Sequence, residues 1–225
     1  MPPKSVSQPT SPWMGAGGAF LDQLDPADRK ALLAIGVTRR YRKGAFIFQA
    51  GRQGDSVYIV ETGRVKVAQH AENGRELILW FCLPGEAFGL AASPRIGPRL
   101  VDAEACTDSS IRCIPSEHFQ AFLRSHPRAS LELVNLLLCR VYVLCDGILN
   151  LSAENADRRL SRLLLQLRHR YGRIEGDEIC LDIALTQQEM ADMIGTSRQT
   201  VSELLNEMKA RGEIRTGGRR MYLPL

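Results

Sequence analysis

The chain has 225 residues, 44% of them apolar, and a formal net charge of +4. That length holds two modest domains, each with its own core. No apolar run is long enough to span a bilayer and no charged-then-apolar leader opens the chain, so membrane and secreted classes are set aside and a cytoplasmic protein is expected.

The positive excess is uneven. From Arg158 onward there are 12 basic and 9 acidic residues, net +3, against 17 and 16, net +1, before it. This points mildly to a polyanion partner for the C-terminal third. The six cysteines, Cys82, Cys106, Cys113, Cys139, Cys145 and Cys180, form no CxxC pair, so they read as reduced, small apolar residues.

Residues 1–18 are rich in Pro, Ser and Gly and are expected to be disordered. From Phe20 the stretch FLDQLDPADRKALLAIG reads as one short helix with Leu21, Leu24, Leu32 and Leu33 inward. Short strands cut by glycine turns follow. They are Phe46–Phe48, Val57–Val60, Arg64–Val67, Glu76–Phe81, Val101–Ala105 and Ser110–Ile114. Many short strands at even spacing argue for a small all-β roll.

Ser116–Leu123 then reads as a short helix that stops at Ser125-His126-Pro127. A long helix is expected from Arg128 to about Ser152. Within it Leu131, Val134, Leu138, Val141, Cys145 and Ile148 repeat at spacings of three and four, which is a heptad seam and predicts a two-stranded homodimer contact. A hinge is expected near 152–155, followed by a helix over Asn155–Tyr171 with Leu160, Leu163, Leu164 and Leu167 inward. A strand carrying Ile179, Leu181 and Ile183 comes next.

Residues Thr186 to Gly212 read as two short helices joined by a tight turn. Thr186 with Glu189 makes a capping box, Gly195 supplies a left-handed stop, and Ser197 caps the second helix. Val201, Leu204, Leu205 and Met208 form that helix's buried face. Arg198, Gln199, Ser202, Glu203 and Asn206 lie opposite, with Thr200 in the first turn. A helix with this tip suits the DNA major groove, where Arg198 would pair with guanine and Gln199 with adenine. Glu203 would take a cytosine amino group or another side chain. Arg215, Arg219 and Arg220 fall on a glycine-turned hairpin, a wing that would meet phosphates.

This order of parts resembles the CRP/FNR family of bacterial regulators. Lys43-Gly44 with Phe48 and Gly51, the run Tyr58 to Val67, and Leu83 to Gly89 carry the resemblance in the roll; the long helix and the helix-turn-helix complete it. It implies an α+β fold: a jelly-roll sensor over 19–127, a dimerisation helix over 128–153 and a winged helix-turn-helix over 154–225. It also implies a DNA-binding homodimer, with RNA polymerase as a further partner, and not an enzyme. A cyclic-nucleotide-binding module that works through protein contacts is the alternative.

The resemblance places an effector around Gly85, Glu86, Phe88, Gly89, Arg95, Arg99 and Cys145. In cyclic-AMP-binding relatives an arginine and a hydroxyl hold the phosphate and a glutamate takes the ribose hydroxyl. Here Leu90 and Leu100 stand at the glutamate and hydroxyl positions, so tight cyclic-AMP binding is not expected. Arg95 and Arg99 would hold another small anionic nucleotide, or are plain loop-surface arginines. The N-terminal cysteine cluster of iron–sulfur relatives and the loop ligand of haem relatives are both missing from the sequence.

Overall fold

The computed structural model describes residues 19–71, 74–91, 97–181, 183–217 and 220–225, with the side chains of 149–153, 169 and 170 left aside. The expected disorder of 1–18, and residues Arg95 and Arg219, lie outside the described residues. The chain divides into two compact units between Val143 and Leu144.

The first unit opens with two helices, α1 (Phe20–Gln23) and α2 (Pro26–Ala34), where the sequence reading expected one. The break is local chemistry. Asp25 is extended and its carboxylate accepts from Asp28 N at 2.8 Å, while Pro26 at the first helical position has no N–H to lose. Eight strands follow: β1 (Val37–Tyr41), β2 (Phe46–Phe48), β3 (Ser56–Thr62), β4 (Val65–His70), β5 (Glu76–Cys82), β6 (Ala87–Phe88), β7 (Asp102–Ala105) and β8 (Ser109–Pro115). They form two four-stranded antiparallel sheets, ordered β1-β8-β3-β6 and β2-β7-β4-β5.

Strand periodicity divides the core. On β3, Tyr58 and Val60 join Val65, Val67, Phe88 and Ile111 inside the roll. Val57 and Ile59 point to the other face and pack with Phe20, Leu32, Phe119, Phe122, Ala129 and Leu136. The last four belong to α3 (Ser116–Ser125) and α4 (Pro127–Ala153). Each large side chain buried in these clusters contributes about 1.5–3 kcal/mol by leaving water. Arg112 fastens α2 to the roll: it donates to Leu33 O at 2.7 Å and Gly36 O at 3.0 Å while its Nε reaches Glu61 at 2.7 Å.

Within this unit α4 shows two apolar faces. Ala129 and Leu136 are buried in the helix cluster, whereas Leu131, Val134, Leu138 and Val141 are half or more exposed. A row of four large aliphatics left in water is a patch built to be covered.

The second unit contains the end of α4, then α5 (Ala156–Tyr171), β9 (Gly172–Glu175), β10 (Glu178–Leu181), α6 (Gln187–Ile194), α7 (Arg198–Ala210), β11 (Arg215–Gly217) and β12 (Arg220–Pro224). Its sheet runs β11-β12-β10-β9. Leu160, Leu163, Leu164 and Leu167 of α5 are buried, as are Met190, Met193, Val201, Leu205 and Met208. One strand was missed in the sequence and one expectation is corrected. β9 carries no apolar alternation, since all four residues are exposed, and it went unread. The strand expected to include Ile183 ends at Leu181. Helix α4 stops at Ala153, and Asn155 opens α5 by accepting from Arg158 N at 3.0 Å. Cys145 and Ile148, the last two seam residues, are exposed in this unit.

Candidate nucleic-acid interface and sensor site

The tip of α7 is built by caps on both sides of one turn. Thr186 Oγ1 accepts from Glu189 N at 3.0 Å, and the Glu189 carboxylate accepts from Thr186 N at 2.7 Å, which closes the capping box that opens α6. Gly195 ends that helix at φ 64°, a conformation in which a side chain would be strained, and Thr196 N donates to Ala191 O at 3.0 Å. Ser197 then accepts from Thr200 N at 3.0 Å and starts α7. Val201, Leu205 and Met208 turn into the core, with Leu204 half-buried.

That inward face fixes which residues look outward. Arg198, Gln199 and Glu203 are exposed, Ser202 and Thr200 half-buried. Among the described residues no carboxylate or carbonyl engages the Arg198 guanidinium. Its five donors face solvent at the N-terminal end of a helix, where the backbone partial charge is also positive. Gln199 Nε2 donates to Glu203 Oε1 at 3.0 Å, so the carboxylate has a partner on its own helix.

The wing is less freely basic than its sequence suggests. Arg215 Nε lies 3.1 and 3.2 Å from the two Glu178 oxygens, and its guanidinium stacks 4.0 Å over the Tyr222 ring. Glu178 holds the Arg215 proton more tightly and is itself held below the usual carboxylate range by the same bond. Arg220 pairs at 3.5 Å with Glu175 and remains exposed.

In the first unit, Arg99 corrects the loop-surface alternative. It is only 5% exposed. Its guanidinium lies 3.9 Å over the Phe48 ring and 5.6 Å from the Tyr58 ring, and it donates to Ser56 O at 2.8 Å and Gly89 O at 3.3 Å. Burial lowers its proton affinity below that of a free arginine. Phe48, Tyr58 and Phe88 form one aromatic group, with centroids 5.3–6.1 Å apart. Gly89 completes the corner at φ 67°: a Cβ there would sit 2.8 Å from Tyr58 and 3.1 Å from Arg99. Phe48 and Tyr58 were not singled out as site residues, because an aromatic residue in a short strand reads first as core.

The remaining candidates separate. Gly85 turns the chain at φ 85°, Glu86 and Phe88 are buried, and Glu86 lies beside Leu83, whose N–H reaches its carboxylate at 3.4 Å. Leu90 packs against the helix cluster, while Leu100 is 75% exposed. Cys82, Cys113 and Cys180 are buried, and burial pushes the Cys82 thiol up to about 12. Among the described residues no group of three or more His, Cys, Asp or Glu is placed to hold a metal ion. No helix among them is long and apolar enough to cross a membrane.

A β-roll, a long helix with an exposed aliphatic row, and a winged helix-turn-helix define a two-domain architecture. Residues 38–126 match the cyclic nucleotide-binding domain, and residues 158–224 match the Crp-like helix-turn-helix domain. The chain is 29% identical over 205 residues to a CRP-like cAMP-activated global transcriptional regulator of Mycobacterium tuberculosis, covering 91% of this chain and 86% of that one. It is 29% identical to a cyclic AMP receptor protein of Thermus thermophilus, over 89% and 90%. Among solved structures, a CooA mutant from Carboxydothermus hydrogenoformans superposes with a TM-score of 0.76 at 28% identity, covering 86% and 85%. The chain belongs to the CRP/FNR family of transcription regulators.

Proposed function

We propose that the chain is a homodimeric, sequence-specific DNA-binding regulator whose operator affinity is set by an effector taken up in the β-roll. The observation that carries this reading is the tip of α7. A doubly capped helix buries one face and holds out a glutamine, a glutamate and an arginine that has no partner among the described residues, at the end that enters a groove. Ser197, Arg198, Gln199, Thr200, Ser202 and Glu203 make the base-edge and nearby backbone contacts, while Arg219 and Arg220 on the wing meet phosphates. Leu131, Val134, Leu138, Val141, Cys145 and Ile148 form the seam between protomers, so the two recognition helices read half-sites one helical turn apart. In this reading the sensor spans 19–127, the dimerisation helix 128–153 and the DNA-binding domain 154–225.

The effector is a small anionic molecule other than cyclic AMP. Arg99 supplies a buried cation among aromatic faces, in a corner shaped by Phe48, Tyr58, Phe88 and Gly89. The positions that would add a ribose acceptor and a second phosphate donor carry Leu90 and Leu100, and neither can hydrogen-bond through its side chain. The effector acts by population shift, favouring the dimer geometry in which both recognition helices fit the groove.

Selection from a random duplex library tests the reading. It is expected to return a palindromic site with half-sites one turn apart. Retention of no sequence above background would favour the alternative, a regulatory module that works through protein contacts. Calorimetry with cyclic AMP is expected to show no micromolar binding.

A further inference from the structure

Arg159 stands at an unusual crossing inside the second unit. It sits in the first turn of α5, half-buried, and its guanidinium donates to two backbone carbonyls. Its Nε donates to Ile194 O at 2.8 Å, and its NH1 donates to Glu154 O at 2.6 Å. Ile194 is the last residue of α6, directly before the Gly195 turn that leads into α7. Glu154 is the residue that follows the end of α4. One guanidinium therefore satisfies carbonyls at the C-terminal ends of two different helices. Such carbonyls lack intrahelical partners and carry the negative end of the helix dipole, so a permanent cation suits both.

The surrounding contacts tie the same turn of α5 to its neighbours. Arg162 pairs with the Glu154 carboxylate at 2.6 Å, and with Asp146 of α4 at 3.9 Å. Asp157 lies 3.8 Å from Arg211, which caps the far end of α7. The α4–α5 elbow thus reaches the start of the recognition helix through Arg159 and its end through Asp157. A shift of the elbow without a matching shift of the Ile194–Ser197 turn would strand a buried carbonyl or a charged donor.

We propose that Arg159 is a positioning residue for DNA recognition: it makes the setting of the α4–α5 elbow and the setting of the α7 tip one variable. It touches no base in this account and acts only through the Ile194 carbonyl. The proposal rests on the DNA-binding reading given above.

The test compares wild type, Arg159→Met and Arg159→Lys on two probes: a duplex selected by the wild-type protein, and random-sequence duplex of the same length. Methionine keeps the bulk and removes both donors; lysine keeps the charge but cannot span both carbonyls. Arg159→Met is expected to lose about tenfold or more in affinity for the selected duplex. On random duplex it is expected to stay within about twofold of wild type, because the phosphate contacts are unchanged. Arg159→Lys is expected to fall between. An unchanged ratio of selected to random affinity in folded Arg159→Met overturns the proposal. So does failure of both variants to fold, which would assign Arg159 to the fold alone. If wild-type protein shows no preference for any duplex, the DNA-binding reading fails instead, and the two failures are distinguishable.

Discussion

The side-chain amide of Gln199 donates to the Glu203 carboxylate across one turn of α7, at 3.0 Å. One amide hydrogen is spent on this bond. The other and the Oε1 acceptor remain, which is the pair adenine presents a match for in the major groove. The carboxylate therefore orients the glutamine as well as occupying a position of its own. Replacing Glu203 by Ala is expected to relax base preference at one or two positions of the half-site. An exposed i,i+4 pair of this kind contributes only about 0.2–0.5 kcal/mol, so thermal stability should barely move. Binding to a panel of single-base variants of the selected duplex, read beside a melting curve, checks both parts.

The wing separates formal charge from available charge. Arg215 is matched by Glu178 and stacked on Tyr222, so it brings little net positive field to a phosphate. Arg215→Ala is expected to leave the salt dependence of DNA binding unchanged. A fall in the slope of log affinity against log salt by about one would show that Arg215 leaves Glu178 for a phosphate.

The proposed dimer contact lies on α4. Leu138 is exposed between Val134 and Val141 on the proposed seam, while Leu136 on the other face is buried. Leu138→Glu puts like charges opposite one another across a two-fold axis and is expected to give monomers at micromolar concentration without loss of helicity. Sedimentation velocity with far-ultraviolet circular dichroism decides it. An intact dimer would move the interface elsewhere.

Thiol chemistry gives an independent check of burial. Cys82, Cys113 and Cys180 are buried, and Cys82 is held protonated well past neutrality, up to about 12. These three are expected to react with a thiol reagent only after unfolding, since the thiolate is the reactive form. Cys145 is exposed on α4 and belongs to the proposed seam, so it should react in the native state, and faster in Leu138→Glu. Equal rates in dimer and monomer would contradict its place at the contact.

Much of the architecture was legible because local rules and tertiary packing agree. The capping box at Thr186 and Glu189, the glycine stop at Gly195 and the cap at Ser197 are side-chain chemistry written within four residues of where it acts. Six of the eight strands of the roll were legible as short runs cut by glycine turns, whereas β1, almost wholly exposed, and the two-residue β6 were not. The break at Asp25-Pro26 had its own cap and proline signal, but the leucine stripe running through it favoured a single helix. β9 was not legible, because an exposed strand held only by its neighbour's backbone leaves no apolar pattern. The settings of Arg99 and Arg159 could not be read either. An arginine buried against aromatic rings, or donating to carbonyls 35 residues away, looks in sequence like any surface arginine. Only the fold decides which charges are enclosed.

The exposed end of α7 is proposed to read base edges, and Arg198 stands at its tip. Equilibrium binding of wild type and Arg198→Ala should be measured across a salt series, on the selected duplex and on random duplex. Steep salt dependence is expected for both proteins, with a loss of about 1–3 kcal/mol for Arg198→Ala on the selected duplex and a much smaller loss on random duplex. An equal loss on both duplexes, or binding that ignores salt, would contradict base reading by α7.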